Sequence, residues 1–139
     1  MRPDEYAAYD ALGLKALLDK GEVSARELHD IAINAIDSLN PTLNFLIASS
    51  PNEAQRALAE MDPTQTFAGI PFLMKEGVGM AGQPAVMGTR MGKDYLCQQD
   101  SELVRRLKRT GIVTLGSTNA PEFGSSPTTE SVFHGPARN

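Results

Sequence analysis

The sequence predicts an α/β fold in which helices flank a largely parallel β-sheet. Its first half carries apolar residues at helical spacing, and its second half contains two short apolar runs, residues 70–74 and 112–115, that are typical of buried strands. A helical segment separates the two runs, and strands separated by helices favour parallel pairing. The length of 139 residues is that of one ordinary domain or of a part of a larger one, so one folding unit is expected.

The N-terminal part of the chain predicts helices. Leucines recur at helical spacing across residues 11–20, and Gly21 is a residue type common just beyond a helix end. Ser24 and Glu27 then form a capping-box pattern, because each side chain can satisfy a backbone N–H of the first helical turn. We expect this second, amphipathic helix to end before Pro41.

One further strand and two further helices are indicated by short patterns. The apolar run at residues 45–48 predicts a strand, and residues 51–61 predict a helix with proline in its first turn. Later in the chain, Asp100 is expected to cap a helix whose Leu103 and Val104 face inward. This helix leads into the second of the two buried strands.

A lysine follows the first buried strand. Residues 70–74 are apolar on both faces, which predicts a central strand, and the run ends abruptly at Lys75 and Glu76. Ligands of parallel sheets bind beyond the carboxyl ends of the strands, where Lys75 must lie partly desolvated. Because successive strand side chains point to opposite faces, Lys75 need not pair with Glu76 and can lose its proton. The alternative is a solvated lysine where a strand leaves the sheet.

The glycine-rich segment after this strand matches a nucleotide-binding pattern only superficially. Residues 77–82 fit G-x-G-x-x-G, which in dinucleotide-binding proteins places a pyrophosphate at a helix N-terminus. That pattern must open a helix, and Pro84 and Gly88 are incompatible with a long one here. We therefore expect an ordered loop that borders a site, and no cofactor.

The composition argues against several classes of partner. Thirteen Lys and Arg against seventeen Asp and Glu give a formal charge of −4, so neither nucleic acid nor a membrane is an expected partner. With one cysteine, Cys97, and two histidines, the chain cannot form an internal disulfide, and a metal site is not expected. No signal, transit or membrane-spanning pattern is present, which predicts a cytoplasmic location.

Three segments together resemble the amidase signature family. They are Gly69–Lys75, the helix and strand of residues 100–115, and Gly116–Gly124 running on to Gly135–Asn139. Their order and spacing agree with the family, and the resemblance extends to the N-terminal helices. It implies the N-terminal part of a twisted mixed β-sheet flanked by helices. In this truncated single domain, residues 1–62 would be a mainly helical lead-in and residues 69–139 the start of the catalytic α/β core.

The resemblance also implies a mechanism and site residues. Members of the family hydrolyse amides with a Ser, cis-Ser, Lys triad, and Lys75 stands at the position of the catalytic lysine. Both triad serines would lie beyond Asn139. The resemblance places three residues along the acyl pocket: Gly124, Ser125 and Ser126. Two departures occur, since Glu76 stands where aspartate is usual and Ser117 where a lysine often follows the glycine. Neither is a triad position.

The resemblance leaves alternatives for the function. It implies a small-molecule amide substrate and the remainder of the amidase chain as a partner. It leaves open whether the protein forms a homodimer. The first alternative is the catalytic component of a glutamine-dependent tRNA amidotransferase, although residues 118–122 and 128–130 are more similar to the stand-alone hydrolases. The second is a non-catalytic binding or scaffold module built from the truncated fold. In each case we expect the isolated chain to hydrolyse no amide.

Overall fold

The computed structural model describes residues 1–139 and has an α/β architecture, which confirms the predicted fold class, although its main sheet is mixed rather than largely parallel. In chain order its elements are α1 (Pro3–Tyr6), α2 (Ala11–Asp19), α3 (Ala25–Leu43), β1 (Leu46–Ser49), α4 (Pro51–Ala59), β2 (Pro71–Lys75), α5 (Glu102–Lys108), β3 (Val113–Thr118), β4 (Glu130–Ser131) and β5 (Gly135–Pro136). Two short 3₁₀ turns, Arg90–Gly92 and Glu122–Gly124, lie in the connecting loops. No helix has the combination of length and apolar content needed to cross a membrane.

The main sheet is mixed and has three strands in the order β1, β3, β2. β3 pairs with β2 in parallel and with β1 in antiparallel orientation, while β4 and β5 form a separate small hairpin. The expectation that residues 70–74 form a central strand is wrong for this chain, because β2 lies at the sheet edge. Its Phe72 is 36% exposed. Sequence shows that a strand is apolar, but not whether another strand covers its free edge.

Three apolar clusters hold the helices against the sheet. The first comprises Leu14, Val23, Leu28 and Ile70, the second Ala32, Ala54, Val113 and Leu115, and the third Met74, Met80, Val104 and Ile112. Val113 and Leu115 of β3 face the second cluster, and Thr114 between them is only 1% exposed. Because successive strand side chains point to opposite faces, β3 is buried on both sides, as the sequence predicted for this apolar run.

The long helix α3 begins as predicted and ends later. Ser24 Oγ accepts a hydrogen bond from Glu27 N at 3.2 Å, and Glu27 Oε2 accepts one from Ser24 N at 2.8 Å, which confirms the capping box. The expected end before Pro41 is wrong, since α3 continues to Leu43. Pro41 lies in the last turn, where it removes one backbone donor, and Asn44 then ends the helix in the left-handed conformation at φ 52°.

The helix α5 is capped by Ser101 rather than by the predicted Asp100. Ser101 Oγ accepts a hydrogen bond from Val104 N at 3.3 Å. Asp100 Oδ1 instead accepts from Ala81 N at 2.8 Å, so its carboxylate holds the glycine-rich loop. Leu103 was expected to face inward, yet it is 53% exposed. In a helix of seven residues the periodicity is too short to decide which side is buried.

We expect Gly116→Ala to destabilise the sheet strongly. Gly116 lies opposite Ser49 in the pairing of β1 with β3, and a Cβ at this position would overlap the carbonyl oxygen of Ala48. The strands would have to separate, so the free energy of unfolding of the complete protein should fall by about 1–3 kcal/mol. Denaturant titration measures this loss. Ser49→Ala, on the exposed face of β1, should change it by less than about 0.5 kcal/mol; equal stability of both variants would refute the close approach.

Candidate active site

Lys75 is the last residue of β2 and is free of ionic partners. It pairs in register with Thr118 at the end of β3, so its position follows from the parallel ladder. As expected from strand alternation, it does not pair with Glu76, and it takes part in none of the ion pairs of the structure. The partial desolvation expected of this lysine is not supplied by this chain, in which Lys75 is exposed.

A cleft of about 200 Å³ opens beside this lysine. It is lined by Lys75, Glu76, Gly77, Val78, Met87, Ala120 and Gly124. The structure thus brings Lys75 together with Gly124, the first of the three residues that the resemblance placed along the acyl pocket. Ser125 and Ser126 are exposed and do not line the cleft; Ser125 Oγ donates to Glu122 O at 2.9 Å. Their role in a substrate pocket stays a prediction.

Two residues with left-handed backbone conformations contact each other beside the cleft, and one of them, Met87, lines it. Met87 has φ 50° and Phe123 has φ 54°, values that are unusual for bulky side chains. Phe123 N donates to Met87 O at 3.0 Å, which joins the loop after β2 to the loop after β3. Such conformations cost about 1–3 kcal/mol each and persist where the surrounding structure enforces them, a situation common at binding sites.

The structure adds two residues that the sequence did not single out as a pair, Glu76 and His134. Glu76 is a buried residue in the wall of the cleft, and His134 Nε2 lies 3.3 Å from its Oε1 atom although 58 positions separate them in the chain. The signal in the sequence was an acidic residue directly after an apolar strand. A histidine in a Gly- and Pro-containing segment gave no indication of its partner.

The structure has no geometry that matches dinucleotide binding, a reactive cysteine or a metal site. Residues 77–82 form turns and open no helix, so the dinucleotide-binding arrangement is not formed. Burial, followed by the charge of Asp100, raises the pKa of the Cys97 thiol, which disfavours the nucleophilic thiolate. No three side chains of His, Cys, Asp or Glu are grouped so that they could hold a metal ion.

The mixed sheet flanked by helices places the chain in the α/β class of proteins. The amidase family model matches residues 27–139, and the chain belongs to the amidase family. The fold agrees, since the solved structure of 6-aminohexanoate cyclic dimer hydrolase superposes with a TM-score of 0.87 and 32% identity, over 94% of this chain and 27% of that one.

Two curated relatives illustrate the range of the family. Putative amidase AmiC of Mycobacterium tuberculosis (strain ATCC 25618 / H37Rv) is 34% identical over 137 residues, which cover 98% of this chain and 29% of the relative. A glutamyl-tRNA(Gln) amidotransferase component of Halorhodospira halophila is 32% identical over 132 residues, which cover 91% of this chain and 27% of the relative. The chain therefore spans less than a third of the length of these relatives.

Proposed function

We propose that this chain supplies the general base of an amide-bond hydrolase, with Lys75 as the base. The observation that carries the proposal is the position of Lys75, which lines a cleft at the carboxyl end of β2 without a carboxylate partner. An ion-paired lysine would be held as an ammonium group, which cannot accept a proton. An unpaired lysine at a cleft wall has the freedom to act as a base once it is neutral.

The proposed chemistry uses the lysine amine in place of the more common histidine. A serine hydroxyl is a weak nucleophile, so a base must take its proton as the oxygen attacks the amide carbon. In the triad implied by the family resemblance, the proton passes from the nucleophilic serine through a second serine hydroxyl to Lys75 Nζ. Lys75 then returns it by the same route to the leaving amine. In this proposal, sequence beyond Asn139 supplies both serines.

In this proposal, the same additional sequence also provides the desolvation that a neutral lysine requires. Besides the free edge of β2, an apolar groove of about 350 Å³ runs along this strand, with Leu39, Phe45 and Phe72 among its walls. An apolar surface of this kind is unfavourable when it is exposed to water, and it is typical of a surface that another part of a protein covers. We propose that the remainder of the amidase sequence covers it and closes the site around Lys75.

The substrate in this proposal is a small linear amide whose acyl part lies along Gly124, Ser125 and Ser126. Of these residues, Gly124 has the direct support of lining the cleft with Lys75. With φ 66° and no atom near the position of a Cβ, Gly124 leaves the cleft mouth open. We expect bulkier residues at this position to narrow the pocket.

A second candidate is supported by the similarity to the amidotransferase component, whose name refers to glutamyl-tRNA. The complete enzyme should be assayed for ammonia release from small aliphatic and aromatic amides, and from glutamine, with and without tRNA and partner proteins. A hydrolase releases ammonia from simple amides with nothing else present. Activity confined to glutamine in the presence of tRNA and those partners would instead establish the amidotransferase.

A further inference from the structure

Glu76 is a buried carboxylate for which the proposed mechanism has no role. It follows Lys75 directly, yet its side chain is 0% exposed whereas Lys75 is exposed. The alternation of strand side chains explains the contrast, because Glu76 points to the opposite face of β2. A carboxylate removed from water is strongly unfavourable unless other groups replace its hydration. The contacts of Glu76 therefore show which parts of the chain its side chain joins.

Two groups from distant parts of the chain contact this carboxyl group. Gly88 N donates to Oε2 at 3.1 Å, and His134 Nε2 lies 3.3 Å from Oε1. The donor in the second contact depends on the tautomer of the His134 ring, and an ionised Glu76 requires the hydrogen on Nε2. Glu76 N also donates to Thr118 O at 3.1 Å, which extends the ladder between β2 and β3 beyond Lys75. Glu76 thus joins the strand end to two loops.

The two loops are in turn fixed to each other. Ser131 Oγ donates to Gly88 O at 2.7 Å and accepts from His134 N at 3.0 Å. Asn44 Nδ2 donates to His134 O at 2.8 Å, which ties the same turn to the end of α3. A Cβ at Gly88 would stand 2.8 Å from Ala120 O, so Gly88 lies closely against a segment that lines the cleft. This network leaves little freedom for the backbone behind the cleft.

We propose that Glu76 and His134 form a positioning pair that holds Lys75 in the orientation in which its amine accepts a proton. The inference rests on the proposed function of Lys75. Because Lys75 has no ion-pair partner of its own, the direction of its side chain depends on the backbone at the end of β2. Proton transfer requires hydrogen-bond reach, and a displacement of about 1 Å can cost about 100-fold in rate.

The test uses the complete enzyme and separates positioning from stability. Glu76→Gln keeps the side-chain volume but removes the charge that both donors contact. His134→Phe keeps a ring for the edge-to-face contact with Phe133, whose centroid lies 4.7 Å away, and removes the donor. Each change should lower kcat about 10- to 100-fold and alter KM by less than about twofold. His134→Gln restores a donor and should recover most of the lost kcat.

A matched control is His29→Phe, since His29 lies on α3 and lines no part of the cleft. It should leave kcat and KM unchanged.

If Glu76→Gln and His134→Phe lower only the melting temperature, with kcat unchanged, the pair is merely structural and the proposal is overturned. Should either variant not fold, Glu76→Asp and His134→Gln replace them in the test. A loss of kcat in Glu76→Asp together with nearly wild-type kcat in His134→Gln supports the positioning role. Wild-type kcat in Glu76→Asp overturns it.

The outcome for Lys75→Ala separates this inference from the proposed function on which it rests. If Lys75→Ala is inactive while the Glu76 and His134 variants keep wild-type kcat, the positioning role alone fails. If Lys75→Ala retains full activity, the general-base assignment fails, and the positioning role fails with it.

Discussion

In the complete enzyme, Lys75→Ala is expected to lower kcat by about 10²- to 10⁴-fold, because it removes the proposed proton acceptor. KM should stay within about twofold, since the substrate contacts of the cleft remain. The melting temperature should not change, because Lys75 is exposed and forms no ion pair. Steady-state kinetics together with thermal unfolding measure all three quantities.

Lys93→Ala is the matched control for this substitution. Lys93 is also exposed, also lacks an ion pair, and lines no part of the cleft. We expect its kcat, KM and melting temperature to equal those of the wild type. If Lys75→Ala behaves like Lys93→Ala, Lys75 is a solvated lysine at a strand end, which was the alternative that the sequence left open.

The isolated 139-residue chain is expected to hydrolyse no amide. In the proposed mechanism, this chain contributes the base but neither the nucleophilic hydroxyl nor the donors that stabilise the oxyanion, and losing these components removes catalysis. The free edge of β2 and the apolar groove beside it should also make the isolated chain prone to aggregate. The assay is ammonia release with active-site titration of the purified chain.

The control for this assay is the isolated Lys75→Ala chain, which should be equally inactive. Ammonia release by the isolated chain that disappears in this variant would show that Lys75 acts without serines from elsewhere. Such a result would contradict the assignment of the triad.

Local signals in the sequence predicted the helical part of the fold. Ser24 and Glu27 are three positions apart and satisfy each other, so the start of α3 needs no tertiary information. The cap of α5 was not predictable in this way, because Asp100 and Ser101 are both good capping residues. The choice depends on Ala81 N, which lies in a distant loop and engages Asp100.

The candidate site was predictable to a smaller extent. Lys75 could be found because it interrupts an apolar strand, and the resemblance to the amidase family added Gly124. The contact between Glu76 and His134 could not be found, since it joins residues 58 positions apart through the close packing of two irregular loops. Neither periodicity nor composition indicates such a contact. The edge position of β2 was missed for a related reason, because strand neighbours are set by topology.

The pH dependence of kcat/KM for Lys75→Arg, beside the wild type and Lys75→Ala, tests the central claim most directly. Arginine keeps the positive charge and much of the length of the side chain, but its guanidinium stays protonated and cannot accept a proton. If Lys75 is the general base, the wild-type value falls as the pH is lowered and the amine becomes protonated. Lys75→Arg should then be as inactive as Lys75→Ala at every pH. A Lys75→Arg enzyme with wild-type kcat/KM would contradict the general-base assignment and leave Lys75 a role based on charge alone.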